Sequence, residues 1–236
     1  MISITSLTKH YGTYRALDSI DLDVSHGECI GLLGSNGSGK STLYRCILGI
    51  IDYSGTVKVG GYDSLSQGKK VRGMIGYMPQ AASLHNDLTV KQTLQFYSDL
   101  RGGSIGDAYS FLERVELSEV QQVRVGELSG GMKQRLSFAV AQIGDPQVLL
   151  LDEPTVSMDQ RSQQILLSWL VELKEGGKTV LLSTHLRQDI LSIIDRTITL
   201  DHGKIISASS AEDTIGDTPF MYVREQSTNI IRKRTA

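Results

Sequence analysis

The 236 residues, 40% of them hydrophobic, are enough to bury the core of one large domain. A formal charge of -2 excludes a general electrostatic attraction to nucleic acid, so any such contact, or any attraction to a membrane, must be local. No apolar run approaches the roughly 20 residues of a spanning helix, and Met1-Ile2-Ser3-Ile4 opens like a strand rather than a basic leader, which points to an intracellular protein.

Ile2 to Leu7 and Ile20 to Val24 alternate apolar and polar residues, which predicts half-buried antiparallel strands. Between them, Tyr11 is either ordinary packing or a flat ring on which adenine can stack. Cys29-Ile30-Gly31-Leu32-Leu33 reads as a buried strand, and Leu43 to Leu48 as a helix ending at Gly49. Between strand and helix stands Gly34-Ser35-Asn36-Gly37-Ser38-Gly39-Lys40-Ser41-Thr42, which fits the phosphate-binding pattern G-x-x-x-x-G-K-[ST]. Its glycines let backbone N–H groups turn inward at phosphate oxygens, and the helix N-terminus adds its positive dipole end. Lys40 supplies charge to the β- and γ-phosphates, Ser41 offers a hydroxyl to Mg²⁺, and Thr42 is a further phosphate contact. The two cysteines, Cys29 and Cys46, flank this loop and read as small buried hydrophobes.

Gly55 to Val59 predicts a short strand, Gly60-Gly61 a turn, and Met74 to Met78, beyond a polar stretch, a strand running into Pro79-Gln80. A glutamine at a strand's carboxyl end, where open α/β sheets bind ligands, can contact a metal ion or position a water. From Thr89 to Leu117 the pattern becomes helical, with Val90, Leu94, Tyr97 and Leu100 on one face and Phe111, Leu112 and Val115 on another. Then Leu128-Ser129-Gly130-Gly131 opens a helix whose apolar face is Met132, Leu136, Ala139, Val140 and Ile143, with Ser129 placed as its N-cap. Bare N–H groups at this glycine-rich start make a second anion site.

Val148 to Leu151 is an apolar run, as in a strand covered on both faces, and it ends in Asp152-Glu153-Pro154. Alternation along the strand sends the two acids to different partners, one toward Mg²⁺ and the other toward an attacking water. Gln160 to Leu173 predicts a helix with Trp169 in the core, and Lys178 to Ser183 a buried strand followed by Thr184-His185. His185 falls at the carboxyl edge where the other polar candidates converge, and an imidazole there can donate to a phosphate oxygen. Arg196 to Leu200 and Lys204 to Ile206 form a hairpin, after which the composition turns polar and ends in Arg232-Lys233-Arg234. That basic tail suits solvent or an anionic membrane surface.

This ordered set, from about Met1 to Ser207, closely resembles the ATP-binding-cassette ATPases. The resemblance implies an α/β P-loop NTPase with a RecA-like core sheet, an N-terminal antiparallel β subdomain and a helical insertion carrying the signature motif. The ATPase domain would span 1–207, its helical subdomain about 81–145, and a C-terminal extension 208–236. In that family the counterpart of Tyr11 stacks on adenine, Gln80 forms the Q-loop and reaches the metal, and Leu128 to Gly131 are the signature. Asp152, Glu153 and His185 match the Walker B aspartate, the catalytic glutamate and the switch histidine. Family members close head-to-tail as dimers around two ATPs, which would bring Ser129, Gly130 and Gly131 to the γ-phosphate held by the other subunit. The signature continues Met132-Lys133-Gln134 where many members have Gln first, and the D-loop reads Ser157-Met158-Asp159 with an unusual Met. Neither departure removes a catalytic group.

The mechanism implied is in-line attack of water on the γ-phosphate, with Glu153 orienting or deprotonating the water. With the family's motor and no spanning segment, the chain reads as the ATPase subunit of a transporter at the cytoplasmic face of a membrane, peripheral through a separate permease subunit that docks near Ala81 to Leu88. The competing reading is a soluble cassette ATPase acting on DNA or ribosomes. It lacks the long coiled-coil insertion or the doubled cassette of those relatives, and no nucleic acid partner is expected. A different P-loop ATPase would leave Leu128 to Gly131 unexplained. Met132-Lys133-Gln134-Arg135 resembles exporter-type subunits.

Overall fold

A computed structural model describes residues 1–103, 105–156, 158–184 and 192–210. His185, Ser157 of the expected D-loop and the basic tail lie outside the described residues.

The first two strands, β1 (Ile2–Tyr11) and β2 (Tyr14–Val24), form one antiparallel hairpin around Gly12 and Thr13. The alternation in the sequence lapses after Leu7, yet pairing continues to Tyr11 opposite Tyr14. The reason is a run of irregularities: Ser6 and Ser19 sit at φ 49° and 51°, and the register shifts between Ile4 and Leu7, between Leu7 and Lys9, and between Lys9 and His10. Each shift moves side chains off the period-2 pattern without ending the ladder. After β3 (Cys29–Leu33), strands β4 (Ser54–Val59) and β5 (Tyr62–Asp63) complete this first sheet in the order β2-β1-β4-β5.

The second sheet holds β3 together with β6 (Ile75–Met78), β7 (Val148–Asp152), β8 (Thr179–Ser183), β9 (Arg196–Asp201) and β10 (Lys204–Ser210), in the order β10-β9-β3-β8-β7-β6. Strands β9, β3, β8, β7 and β6 run parallel, and β10 closes the edge antiparallel. The P-loop strand and the acidic strand are therefore not neighbours, because β8 lies between them.

Both faces of this sheet are covered, and alternate residues divide between two cores. Ile30, Leu32, Val148, Leu150 and Leu181 pack with α1 (Lys40–Ile47) and the first sheet. Cys29, Leu149, Leu151, Val180 and Leu182 pack with the helices of the other face. Those helices are α3 (Val90–Arg101), α4 (Ile105–Arg114), α5 (Gly130–Gln142) and α6 (Gln160–Glu175). Each fully buried leucine contributes about 1.5–3 kcal/mol. Trp169 is in this core as expected, its ring 4.9 Å from that of Phe138 and 5.9 Å from that of Phe111.

Two elements differ from the expectation. Residues Gly68–Met74 form a helix, α2, so Met74 ends a helix instead of opening a strand. Its two glycines and two lysines hide it, since Val71 is the only fully buried apolar side chain it carries. Helix α5 is buried on nearly all sides from Leu136 to Gln142, so its single apolar stripe understates how deeply it is set.

Candidate phosphate and metal site

Helix α1 begins at Lys40 behind Gly39, and no side chain caps its start. Its first N–H groups are left for an anion. Gly34 and Gly39 hold φ 148° and 116°, in the left-handed half of conformational space. A Cβ on Gly34 would stand 2.3 Å from the Leu200 carbonyl oxygen, and one on Gly39 2.8 Å from that of Ala16. The loop is thus pressed onto β9 and β2 by contacts only glycine permits.

Lys40 is buried, and its ammonium donates to the carbonyls of Gly34 at 2.7 Å and Ser35 at 3.1 Å. The same ammonium lies 3.4 Å from Oε1 of Glu153. The other Glu153 oxygen, Oε2, accepts from Nε2 of Gln80 at 3.0 Å. Three predicted residues from the ends of α1, β6 and β7 therefore meet at one carboxylate.

Glu153 reaches this position by leaving the strand. Its φ is 48°, a left-handed backbone that costs a non-glycine residue about 1 kcal/mol or more. Strand alternation alone does not divide Asp152 from Glu153, because the chain turns between them. Asp152, buried at the end of β7, stands opposite Ser183 of β8. The Ser183 hydroxyl donates to Asp152 Oδ1 at 2.7 Å and accepts the Glu153 N–H, also at 2.7 Å. Below them lies Tyr44 of α1, fully buried, whose hydroxyl approaches the Leu151 carbonyl at 3.5 Å. Burial and then the Asp152 charge push this phenol well above its usual range, against contacts with Ser183 that lower it, so it stays protonated.

The signature segment occupies a separate place. Ser129 caps α5 as expected, accepting from the Met132 N–H at 3.2 Å, and both Ser129 and Gly130 are exposed. Gly131 is buried against Ser162 and Asp159 at the start of α6. Asp159 caps that helix through the Ser162 N–H, and this hydrogen bond, with the Ser162 side chain, holds its carboxyl below the usual range. Gln134, one turn into α5, donates to the Gln80 carbonyl at 2.8 Å and joins the signature helix to the loop after β6. Tyr11 is exposed at the end of β1 with the Lys9 ammonium 4.9 Å over its ring, while the Tyr14 hydroxyl reaches the Gly37 carbonyl at 3.4 Å.

The residues fit a nucleotide and its metal. Ser38 carries a buried hydroxyl with no hydrogen-bond partner among the described residues, inside the loop whose other donors would face phosphate. Ser41 and Asp152 are hard oxygen donors of the kind Mg²⁺ takes beside phosphates. The cysteines take no part: burial pushes the thiols of Cys29 and Cys46 to about 12, too high for a nucleophile at neutral pH. A cavity of about 480 Å³ between α4 and α6, lined by Phe111, Arg114, Gln142, Trp169 and Lys178, includes none of the predicted site residues.

Sequence reading missed Ser183, Gln134 and Tyr44. For Ser183 the available signal was a hydroxyl at the end of an otherwise apolar strand, followed by Thr184-His185. For Tyr44 it was a phenol in an apolar helix face.

The chain matches the ABC transporter family over residues 17–156. It is 37% identical to the Nod factor export ATP-binding protein I of Rhizobium etli over 92% of this chain and 70% of that protein. It is 36% identical to an uncharacterized ABC transporter ATP-binding protein of Methanocaldococcus jannaschii, over 90% of this chain and 78% of that one. Its fold superposes on a dimeric ATP-binding cassette in a post-hydrolysis state bound to ADP and Pi with a TM-score of 0.83, at 26% identity, covering 89% of this chain and 99% of that chain. The P-loop NTPase fold agrees with these relatives, and the chain belongs to the ABC transporter family as one of its ATP-binding proteins.

Proposed function

We propose that this chain hydrolyses ATP as one half of a head-to-tail dimer, and that closing and reopening of the dimer drives export through a separate permease subunit. The convergence of Lys40 and Gln80 on the Glu153 carboxylate carries this reading, since it sets a base beside a phosphate-binding ammonium. Gly34 to Thr42 would cradle the phosphates, with Lys40 neutralising charge that builds on the transferred group. Ser41, Asp152 and Gln80 would hold Mg²⁺, which supplies Lewis-acid stabilisation of the phosphoryl oxygens when bound. Glu153 would exchange Lys40 for a water and orient it in line with the γ-phosphate. Tyr11 would stack on adenine, and His185 would contact the γ-phosphate.

The exposed Ser129-Gly130 start of α5 supports a dimer, because both residues are open to a second chain and their hydrogen bonds among the described residues do not reach the P-loop of their own chain. The Gln134 link to the Gln80 carbonyl would carry closure to the permease, docked around 81–88. Domain limits of 1–207, with a helical part at about 81–145 and an extension at 208–236, accord with this division of work. Among the described residues no helix is long and apolar enough to cross a membrane, which accords with peripheral attachment at the cytoplasmic face. Export is supported by the name of the Rhizobium relative and by Met132-Lys133-Gln134-Arg135.

Phosphate release from ATP should require Mg²⁺, and the rate per chain should rise with chain concentration, as mass action demands of a dimeric catalyst. A rate per chain that is flat across the monomer–dimer range would contradict the shared site.

A further inference from the structure

Ser183 occupies the strand between the two halves of the site, paired in register with Leu32 of β3 on one side and Asp152 of β7 on the other. It is fully buried, and its hydroxyl has one proton and two lone pairs. The proton goes to Asp152 Oδ1 and a lone pair takes the Glu153 N–H, each at 2.7 Å. The first bond fixes how the Asp152 carboxylate is turned and leaves Oδ2 free of it. The second ties down the left-handed residue that swings the Glu153 carboxylate to Lys40 and Gln80.

We propose that Ser183 is a positioning residue for hydrolysis, locking the metal-holding carboxylate and the water-orienting carboxylate into one unit through a single hydroxyl. The proposal rests on the roles given to Asp152 and Glu153 above. It also accounts for a polar side chain at the end of a strand whose preceding residues, Val180, Leu181 and Leu182, are apolar and buried. A hydroxyl that served only to satisfy its buried neighbours would matter for stability and for nothing else.

Three variants separate these roles: Ser183→Thr keeps the hydroxyl, Ser183→Cys keeps the shape with a slightly larger group and only a weak S–H donor, and Ser183→Ala removes the group. Melting temperature, ATP affinity in EDTA, the gain in affinity on adding Mg²⁺, and kcat with KM should be measured for each. The Cys variant is expected to bind ATP in EDTA as the parent does, to lose most of the Mg²⁺-dependent gain, and to lose about 10- to 100-fold in kcat. Ala should do the same with a lower melting temperature, and Thr should restore most of kcat and of the Mg²⁺ gain. If Cys and Ala lose only melting temperature, with Mg²⁺ gain and kcat at the parent's values, the positioning role is overturned. A parent chain that does not hydrolyse ATP would overturn the underlying reading instead, so the two failures are distinct.

Discussion

Replacing Glu153 with Gln should lower ATP hydrolysis by at least about 100-fold while leaving ATP binding in place, since a general base contributes of order 10²–10⁴ to such a step. The amide is nearly isosteric and can still accept from Gln80 Nε2, so the geometry at 3.0 Å has reason to persist. What is lost is the negative charge 3.4 Å from Lys40 and the capacity to take a proton from water. Single-turnover phosphate release, with nucleotide affinity measured alongside it, checks the result. A variant that hydrolyses at close to the parent rate would remove Glu153 from the mechanism.

Lys40→Ala should be costly in two ways that separate on measurement. ATP affinity should fall by about 10- to 100-fold, because charge-assisted hydrogen bonds contribute about 1.5–3 kcal/mol each. Stability should fall as well, since Lys40 and Glu153 are both buried and the change leaves the carboxylate without its cation. Breaking a buried pair from one side costs about 3–5 kcal/mol. The double variant Lys40→Ala, Glu153→Gln should then be more stable than Lys40→Ala, because neither remaining side chain is an isolated charge. Thermal unfolding of the parent, both single variants and the double variant tests this. Additive losses would show that the pair at 3.4 Å is only a contact and not a coupling.

The phosphate loop was legible because every part of its signal is local: glycines at fixed offsets, Lys40 and Ser41 at the helix start, and an apolar strand before them. The same holds for Ser129 and its cap, for the buried run ending at Asp152, and for Trp169 in the core. What escaped reading depends on long-range register. Ser183 acquires its meaning only because β8 is inserted between β3 and β7, an order no stretch of sequence displays. Gln134 meets the Gln80 carbonyl across a separation of 54 residues. The turn at Glu153 was hidden for another reason: its left-handed φ is imposed by the neighbours that hold its N–H and carboxylate, on a residue type that does not prefer it. Helix α2 and the length of the first hairpin were obscured by glycines and by β-bulges, which break the periodicities on which such reading relies.

The shared site is the central claim, and the mass of the Glu153→Gln variant in solution tests it most directly. Light scattering after size exclusion should find a monomer without nucleotide and a mass twice as large with ATP, since the trapped γ-phosphate holds both chains. Adding Ser129→Arg should keep the mass at that of one chain with ATP still bound. A Glu153→Gln chain that stays monomeric with ATP demonstrably bound, or a Ser129→Arg double variant that dimerises as well as the single one, would contradict the claim.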